Sequence, residues 1–362
     1  MRRIIISTYD SLGNPVYSGG GASVIHEIAK RLTKEDDLLI LAGNFPGGKN
    51  EVIDGVEYRR VGWGIFGPKI GQVLFNFLLP WYVKKMEFDL WVENFTPPFS
   101  ASLVPILTNK PVIGLAHMLS GADMKRKYKI PFDLVESWGL KLYKNFIAIN
   151  EGDREKILNT NAKANVVLIP NGISLPKIKD RQKKHVLFLG RIEVDQKGLD
   201  MLIRAYSAYI GDIKLPLVIA GSGNVKEEKI LRKIIRKSGL TKQVFLVGRV
   251  DGKEKSKLME EALFMVVPSR YETFSLVALE AISYGIPLVT LNIPGLSWVP
   301  STSRVMAKEF DWDYLGRLMV RLTRDSKLRK RMSRASLKLA NSFTWEKVYG
   351  QYLNCFEKIL AN

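Results

Sequence analysis

The stretch that decides the fold reads P-S-R-Y-E-T-F-S-L-V-A-L-E-A, from Pro268 to Ala281. An apolar run ends at Pro268, a polar loop follows, and the apolar spacing that begins near Ser275 is typical of a helix. The first N–H groups of a helix have no partner within it, so those of Phe274, Ser275 and Leu276 are candidates for binding an anion. The sequence therefore predicts a strand, an anion-binding loop and a helix, in that order.

Two glutamates flank this loop. Glu272 precedes the predicted helix, and Glu280 lies within its second turn. A carboxylate beside an anion site is unfavourable unless it accepts hydrogen bonds from hydroxyl groups, and sugar and ribose hydroxyls are suitable donors. Each glutamate could instead complement the helix dipole or be solvated. That alternative explains either residue alone better than it explains both together.

The segment from Gly190 to Gly198 follows the first predicted strand of the second half of the chain. Ligands of α/β proteins bind at such strand ends. Arg191 offers a planar fork of donors and Lys197 a mobile point charge, so together they can neutralise a pyrophosphate. The alternative is a surface loop that carries two common cations.

Two further glycine-rich turns follow predicted strands. Gly221 and Gly223 precede one predicted helix, and Gly19, Gly20 and Gly21 precede another. Neither turn has the spacing of a dinucleotide-binding fingerprint. Glycine at a helix start nevertheless allows the backbone to approach a phosphate or sugar closely.

Histidine and cysteine are scarce. His117 ends a predicted strand at the sheet edge and is a candidate polar contact, although a lone histidine is more often structural. His26 and His185 are expected to be structural. With three histidines and Cys355 as the single cysteine, we expect no metal site made of protein ligands alone and no intrachain disulfide.

Short β-branched runs alternate with helical patterns along all 362 residues, a length that indicates two domains. The predicted strands span 3–7, 38–42, 89–92, 112–116, 146–149 and 166–169, then 186–189, 217–220, 244–247, 264–267 and 287–290. The main predicted helices span 22–33, 133–143, 199–209, 226–238, 275–284 and 345–360. Two successive series of this kind predict two doubly wound domains with a cleft between them.

The net charge of +19 calls for an acidic partner. The chain up to Leu175 has 21 basic and 17 acidic side chains, so most of the excess lies in the second half. Nucleic acid, anionic lipid and a phosphorylated small molecule would all suit this excess, and a solvated surface would also explain it. The longest apolar run, 73–83, is shorter than the ~20 residues that span a bilayer.

These features resemble the retaining GT-B glycosyltransferases of family 4, which share an E-x7-E signature. Glu272 and Glu280 fit that spacing. Agreement in order and spacing extends to 19–21, 117, 169–173, 190–198, 221–223, 247–250 and 344–346. The segment Thr273-Phe274-Ser275 stands where the family usually has G-F-G.

The resemblance implies a GT-B fold, in which two doubly wound Rossmann-like domains face each other across a cleft. Residues 1–172 would form the acceptor-side domain, 173–184 a linker and 185–343 the domain that binds a nucleotide-sugar donor. Residues 344–362 would form a helix that crosses back to the first domain.

The resemblance also implies roles for individual residues, and retention of configuration without a required metal or other cofactor. Attack would come from the same face, with the leaving phosphate assisting deprotonation. Arg191, Lys197 and the glycines of their loop would hold the diphosphate, Glu280 the ribose and Val250 the side of the base. Glu272 and the N–H groups of Phe274, Ser275 and Leu276 would hold the sugar and distal phosphate. From the first domain, Gly20 would approach the phosphate and His117 the sugar.

Basic and aromatic residues interleave in the first half, over 69–85, 125–129 and 141–144. We expect them to form a patch on an anionic membrane that receives a lipid-linked or cell-envelope glycan acceptor. The alternative is core helices with solvated, charged ends. The expected location is the cytoplasm, at the inner face of the membrane.

Three other functions remain open at this stage. A non-hydrolysing UDP-sugar epimerase shares the GT-B architecture and would interconvert nucleotide sugars without an acceptor. A nucleic-acid-binding protein would explain the charge, but neither a zinc-finger nor an RRM signature supports it. A non-catalytic partner subunit is the third, and the intact set of Arg191, Lys197, Glu272 and Glu280 argues against it.

Overall fold

The computed structural model describes residues 1–15, 19–96 and 101–361. It divides into two compact units, residues 1–172 with 345–362 and residues 173–344. Each unit is a parallel or nearly parallel sheet with helices packed against it.

The strands of the first unit are β1 (Arg3–Thr8), β2 (Asp37–Gly43), β3 (Glu51–Ile53), β4 (Val56–Val61), β5 (Leu90–Asn94), β6 (Val112–Ala116), β7 (Asn145–Ala148) and β8 (Asn165–Leu168). Its helices are α1 (Gly20–Leu32), α2 (Gly67–Lys85), α3 (Gly121–Tyr128), α4 (Phe132–Leu140), α5 (Glu151–Thr160) and, from the end of the chain, α12 (Trp345–Leu360).

The strands of the second unit are β9 (His185–Leu189), β10 (Leu217–Ala220), β11 (Val244–Gly248), β12 (Ala262–Val267), β13 (Leu288–Leu291) and β14 (Arg304–Ala307). Its helices are α6 (Leu199–Ile213), α7 (Val225–Lys237), α8 (Gly252–Glu261), α9 (Leu276–Ser283), α10 (Trp312–Arg324) and α11 (Ser326–Ala340).

The sheet of the first unit has the order β3-β4-β2-β1-β5-β6-β7-β8 within the described residues. All its pairings are parallel except that of β3 with β4. Strand β1 lies between β2 and β5, and every residue of β1 after Arg3 is buried. Burial on both faces explains why this strand reads as a continuous apolar run.

The sheet of the second unit has the order β11-β10-β9-β12-β13-β14, with every pairing parallel. The carboxyl ends of β9, β10 and β12 therefore lie side by side at one edge. The loops that follow them carry the predicted site residues of this unit.

The structure confirms all eleven predicted strands, with bounds that differ by at most two residues, and it adds three. Strands β3 and β4 form a hairpin around Asp54 and Gly55, which both have positive φ. Strand β14 lies at the edge of the second sheet. Helix α12 groups with the first unit, where Trp345 packs directly on Gly172 and Arg31 lies 5.3 Å above its ring.

None of the helices in the described part of the chain has the length and apolar character needed to cross a membrane.

Candidate functional site

Backbone hydrogen bonds join three loops at the carboxyl edge of the second sheet. The N–H of Gly190 donates to the carbonyl of Ala220 at 3.0 Å, and that of Ile192 to the carbonyl of Ser222 at 2.9 Å. The N–H of Gly221 donates to the carbonyl of Gly248 at 2.7 Å. The loops after β9, β10 and β11 therefore form one continuous surface.

Two glycines make this close packing possible. Gly198 has φ +63°, and a Cβ there would overlap the carbonyl oxygen of Pro268. Gly221 has φ +143°, and a Cβ there would overlap the carbonyl oxygen of Gly190. Because any side chain would push the loops apart, glycine is required at both positions for steric as well as conformational reasons.

Arg270 ties the loop after β12 to the loop after β9. Its N–H donates to the carbonyl of Gln196 at 2.9 Å, and its guanidinium forms a two-pronged ion pair with Asp200 at 2.7 and 2.8 Å. Paired bonds of this kind fix orientation as well as distance. They hold Lys197 and Glu272, on the two loops, in a defined relation.

Lys197 and Glu272 form the ion pair at the centre of the surface. Nζ of Lys197 lies 2.8 Å from Oε1 of Glu272, and Oγ of Ser269 donates to the same oxygen at 2.8 Å. The side chains of the pair are only 14% and 11% exposed. The pair is therefore shielded from bulk water, and its charges act more strongly than those of a surface pair.

Helix α9 begins beside this pair. Ser275 is its N-cap, with Oγ accepting from the N–H of Ala278. Among the described residues, the N–H groups of Phe274, Ser275 and Leu276 have no hydrogen-bond partner. The Phe274 ring stacks on the Trp298 ring with their centroids 4.7 Å apart, which helps to hold the loop in place. The helix start thus presents free backbone donors, as the sequence predicts.

Glu280 lies on the second turn of α9 and pairs with Lys255 of α8 at 2.7 Å. Its other oxygen, Oε2, is buried without a hydrogen-bond partner in the described residues. A buried acceptor without a donor is costly unless a ligand supplies one. Oε2 of Glu280 is therefore available to a hydroxyl group.

Arg191 is exposed, with 69% of its side chain accessible. It pairs with Glu193 at 3.1 Å, and the second oxygen of Glu193 is buried without a partner. Gly223 was also predicted to contact the donor, but its N–H already donates to Glu228 within the protein. The side chain of Val250 is buried in the core, which leaves little of it for a ligand.

In the first unit, His117 follows β6 and is buried. Asn94 uses its Nδ2 to donate to Thr8, so its Oδ1 accepts from Nδ1 of His117 at 2.7 Å. Burial lowers the pKa of His117 to about 4, partly opposed by Asn171, so the ring is neutral at physiological pH. Gly19 is the N-cap of α1, and Gly20 and Gly21 form its first turn.

His26 and His185 are buried. His26 is hydrogen-bonded to the Tyr58 hydroxyl, and His185 is hydrogen-bonded to the carbonyl of Leu258. Both are structural, as expected. No group of three or more His, Cys, Asp or Glu in the described ranges is placed to hold a metal ion.

The structure gathers Lys197, Glu272, Phe274, Ser275, Leu276 and Glu280 at one edge of the second sheet. It adds Ser269 and Lys255, which the sequence analysis did not identify. Ser269 lies inside the quoted stretch and could have been found there. Lys255 has no signal in the sequence, since its role depends on α8 lying beside α9.

Two family models match the chain. The model described as Glycosyltransferase Family 4 matches residues 18–176, and the model described as Glycosyl transferases group 1 matches residues 175–339. The two matches adjoin near the boundary between the units and together span most of the chain.

Relatives and solved structures agree with these matches. A GDP-mannose:cellobiosyl-diphosphopolyprenol alpha-mannosyltransferase of Xanthomonas oryzae is 25% identical over 281 residues, 72% of this chain and 71% of the relative. Sucrose-phosphate synthase from Thermosynechococcus elongatus superposes with a TM-score of 0.82 at 19% identity, covering 100% of both chains. Anabaena HepE, solved with UDP and glucose, gives a TM-score of 0.76 at 16% identity over 99% of this chain and 100% of HepE.

Proposed function

The chain belongs to the group 1 glycosyltransferases and has the GT-B fold, and from this premise we propose that it is a retaining hexosyltransferase. The donor is a nucleoside-diphosphate sugar, and the acceptor is a hydroxyl group of a glycan. The xanthomonad relative is named for a GDP-mannose donor, and HepE was solved with UDP, so guanine and uracil nucleotides are the first donors to test.

One observation carries this proposal. Three kinds of group lie at one sheet edge. Lys197 and Lys255 are cations, the start of α9 has free backbone N–H donors, and Glu272 and Glu280 are carboxylates. The cations and N–H groups suit a diphosphate, while the carboxylates suit the hydroxyls of a sugar and a ribose. A nucleotide sugar carries both kinds of group in one molecule.

The proposed chemistry is electrostatic. As the glycosidic bond breaks, negative charge grows on the diphosphate, and Arg191, Lys197 and the N–H groups of α9 stabilise it. Lys197 then exchanges part of its contact with Glu272 for the phosphate. The acceptor hydroxyl attacks from the face that the diphosphate leaves, and a phosphate oxygen takes its proton. These cations take the place of a required metal ion.

We also propose that the acceptor is lipid-linked and that the first unit rests on the cytoplasmic face of an anionic membrane. The support is an apolar face of large exposed side chains, which are Ile70, Phe77 and Trp81 on α2, Leu103 and Ile106 after it, and Leu134, Val135 and Trp138 on α4. The turn at Val104–Ile106 contacts α2, and a Cβ on Gly139 of α4 would meet Ala101, two residues before Leu103. In this proposal these side chains together form one apolar face.

Basic residues near the apolar face would add attraction to anionic lipid headgroups. Nζ of Lys85 lies 4.5 Å from the Trp81 ring, and Lys125 and Lys129 belong to the segment before α4. The side chains of Lys69 and Lys127 and the backbone of 97–100 lie outside the described residues. One face of α2 packs in the core through Phe75, Leu79 and Val83, while its other face is exposed.

A thermal-shift panel of UDP, GDP, ADP and their sugars tests the donor site. We expect one base to raise the Tm of the wild type, and Arg191→Ala and Glu280→Ala to lose most of that increase. Arg232→Ala and Glu254→Ala, exposed residues of the same unit, are matched controls and should keep it. Stabilisation by none of these ligands would contradict the proposal.

Product analysis tests the mechanism. With the donor known, NMR of the glycoside formed should show the anomeric configuration of the donor sugar, and transfer should persist in EDTA. An inverted product would refute retention, and loss of transfer in EDTA would refute metal independence. Interconversion of nucleotide sugars without an acceptor would instead identify an epimerase.

A further inference from the structure

The second unit has a cavity of about 620 Å³ at the edge of its sheet opposite to the proposed donor site. The cavity is lined by Ala262, the first residue of β12, and by Ile286 and Pro287, which precede β13. Because the strands are parallel, these strand starts lie at the edge away from the loops that carry Lys197 and Glu272. The cavity is therefore a concave site distinct from the donor site.

The walls of this cavity are strongly basic. Five basic side chains and one acidic side chain line it, a formal charge of +4. The basic residues come from the segment before β9 and from α11, and they are Lys179, Lys183, Arg329, Lys330 and Arg334. The cavity lined by these residues is named the basic cavity. Part of the positive excess of the second half of the chain thus gathers around one concave surface.

The cations of the basic cavity lack carboxylate partners. None of them belongs to an ion pair within the described residues. Glu260 and Glu261, at the end of α8, pair instead with Arg181 and Lys184. A concave surface lined by cations concentrates anions, and here an anion would not have to displace a carboxylate of the protein.

Two of the cations are held in place by backbone carbonyls. Lys183 donates to the carbonyl of Glu260 at 2.5 Å, and Arg329 donates to the carbonyls of Leu322 and Thr323 at 2.6 and 2.9 Å. Burial lowers the pKa of both groups, because it disfavours their charged forms. A bound anion would favour those charged forms. The side chains of the other three cations make no hydrogen bond in the described part of the chain.

Apolar side chains line the rest of the basic cavity. Leu263, Ile286 and Pro287 lie at the sheet edge, and Ile178 and Leu337 are 44% and 38% exposed. The volume falls within the range of ~300–1,000 Å³ typical of small-molecule sites, so an inorganic ion would leave these side chains uncovered. A phosphate monoester carries a charge of about −1.5 to −2 at pH 7, and guanidinium groups match its oxygens. The lining therefore suits a phosphate joined to an apolar group.

Helices α8 and α9 connect the basic cavity with the donor site. Tyr284, which follows α9 and lines the cavity, donates from its hydroxyl to Oγ of Ser256 on α8 at 3.0 Å. Lys255, next to Ser256, pairs at 2.7 Å with Glu280, which lies one helical turn before Tyr284. A ligand that moves Tyr284 therefore acts on the helix pair that positions Glu280.

The basic wall packs directly on the end of α9. Gly285 has φ +67°, and a Cβ there would lie 2.9 Å from Oγ of Ser333 and 3.0 Å from Cγ of Leu337, both on α11. The helix that carries three of the cations thus touches the residue after Tyr284. Movement of α11 around a ligand would be transmitted to α9 by this contact.

We propose that the basic cavity binds an organic phosphate with an apolar body, and that this binding changes the affinity of the donor site for its nucleotide through α8 and α9. The phosphate contacts the cations of α11, and the apolar body covers Ile286, Pro287 and Leu337. The cavity goes beyond the proposed function, whereas its effect on the donor nucleotide rests on that function.

Geranyl phosphate is the probe, since it joins a phosphate monoester to an apolar chain. Calorimetric titration compares it with geraniol and with inorganic phosphate, which each carry one half of the probe. We expect the wild type to bind geranyl phosphate about tenfold or more tightly than either half. The double variant Lys330→Gln with Arg334→Gln should weaken this binding by about tenfold or more, because two exposed cations of the wall are lost.

Lys327→Gln with Arg331→Gln is the matched control. It removes the same charge from exposed positions of the same helix, outside the cavity, and should keep the affinity. Arg191→Ala should also keep it, which separates the basic cavity from the donor site. Failure of the wild type to bind geranyl phosphate would overturn the proposal. Equal losses in the two double variants would also overturn it, because the probe would then respond to net charge alone.

Titration of UDP, GDP and ADP with and without saturating geranyl phosphate measures the coupling. We expect the Kd of the nucleotide that binds to change by about fivefold or more, and the nucleotide to change the Kd of the probe by the same factor. Tyr284→Phe loses the bond to Ser256, so it should still bind the probe while the factor falls towards one.

No coupling in a wild type that binds both ligands, or undiminished coupling in Tyr284→Phe, would overturn the proposal. If none of the three nucleotides binds, the donor site is refuted and the coupling with it. The geranyl phosphate titration would still decide whether the basic cavity is a binding site, so the two failures are distinguishable.

Discussion

Lys197 and Glu272 hold each other in the free protein at 2.8 Å, largely out of water. A shielded lysine that is already paired is positioned without a ligand, so little conformational entropy remains to be lost when a phosphate binds. Ser269 also donates to Glu272, so in the proposed chemistry Glu272 would keep this hydrogen bond when Lys197 contacts a phosphate. The pair therefore serves both the folded state and the proposed chemistry.

Lys197→Met should reduce transfer at least ~100-fold, because it removes a cation from the developing charge. It should also lower the free energy of unfolding by about 1–3 kcal/mol, since Glu272 loses its buried partner. Steady-state kinetics and urea unfolding check the two effects. Lys233→Met, on the exposed face of α7, is the control and should change neither. Unchanged transfer in Lys197→Met would contradict the assigned role.

Glu93, at the end of β5, should make stability depend on pH. Burial raises its pKa to about 7, although Tyr143 and Ser102 both donate to it. Because this pKa lies above the unfolded value, the group imposes no penalty below pH ~4.5 and its full penalty above pH ~7. Ionised Glu93 therefore destabilises the fold at alkaline pH.

Glu93→Gln removes this penalty. Its stability relative to the wild type should be about 3 kcal/mol more favourable at pH 8 than at pH 4.5, because the pKa of Glu93 in the folded protein lies well above its ordinary value. Urea unfolding across this pH range measures the difference, and Glu155→Gln on the exposed side of α5 is the control. A difference that does not change with pH would show that Glu93 titrates normally.

At the scale of the element, the loops at the edge of the second sheet depend on close backbone packing. Gly198 and Gly239 both have left-handed φ, +63° and +70°, but their surroundings differ. A Cβ on Gly198 would overlap Pro268, whereas Gly239 has open space around it. An alanine at Gly239 would therefore suffer only backbone strain, whereas an alanine at Gly198 would suffer backbone strain and a steric clash.

Gly198→Ala should therefore lower the free energy of unfolding by about 3 kcal/mol or more, and Gly239→Ala by only about 1 kcal/mol. Gly198→Ala should also lose stabilisation by the donor nucleotide, because Lys197 moves with the loop. Urea unfolding and thermal shift measure these effects. If the two variants lowered the free energy of unfolding equally, the loops at Gly198 and Pro268 could move apart without further destabilising the protein.

The three added strands show which element signals were missed. Val56, Tyr58 and Arg60 of β4 alternate inward with outward residues, and Asp54-Gly55 is a typical hairpin turn, so this hairpin was readable from the sequence. Strand β14 was not readable. Its four residues include Arg304, which is buried in the structure although arginine is mostly exposed in folded proteins.

At the scale of the whole molecule, the first unit carries the exposed apolar side chains of α2, of α4 and of the turn between them, and most of the large exposed aromatics among the described residues. We expect the protein to bind vesicles that contain phosphatidylglycerol, and to bind less as salt rises from about 0.05 to about 0.5 M. Trp81→Ala and Trp138→Ala should each weaken binding about tenfold, since each removes a large apolar side chain from the interface.

Vesicle sedimentation measures this binding. Phe245→Ala is the control, because Phe245 is an exposed aromatic residue of the second unit, outside the apolar face, and its loss should have no effect. Equal binding of all four proteins would show that attraction is purely electrostatic. No binding to anionic vesicles at low salt would refute the membrane proposal.

The sequence by itself determined the two βα series, the family and the loop before α9, because these depend on local patterns: buried strands, helix starts and the spacing of Glu272 and Glu280. Only the tertiary structure decided which groups face one another. Lys255 meets Glu280, Arg270 meets Asp200, and Asp10 meets the start of α1 across gaps of 25, 70 and about ten residues. Such contacts arise when parallel strands bring their carboxyl ends to one edge, and no local pattern records which side chains meet there.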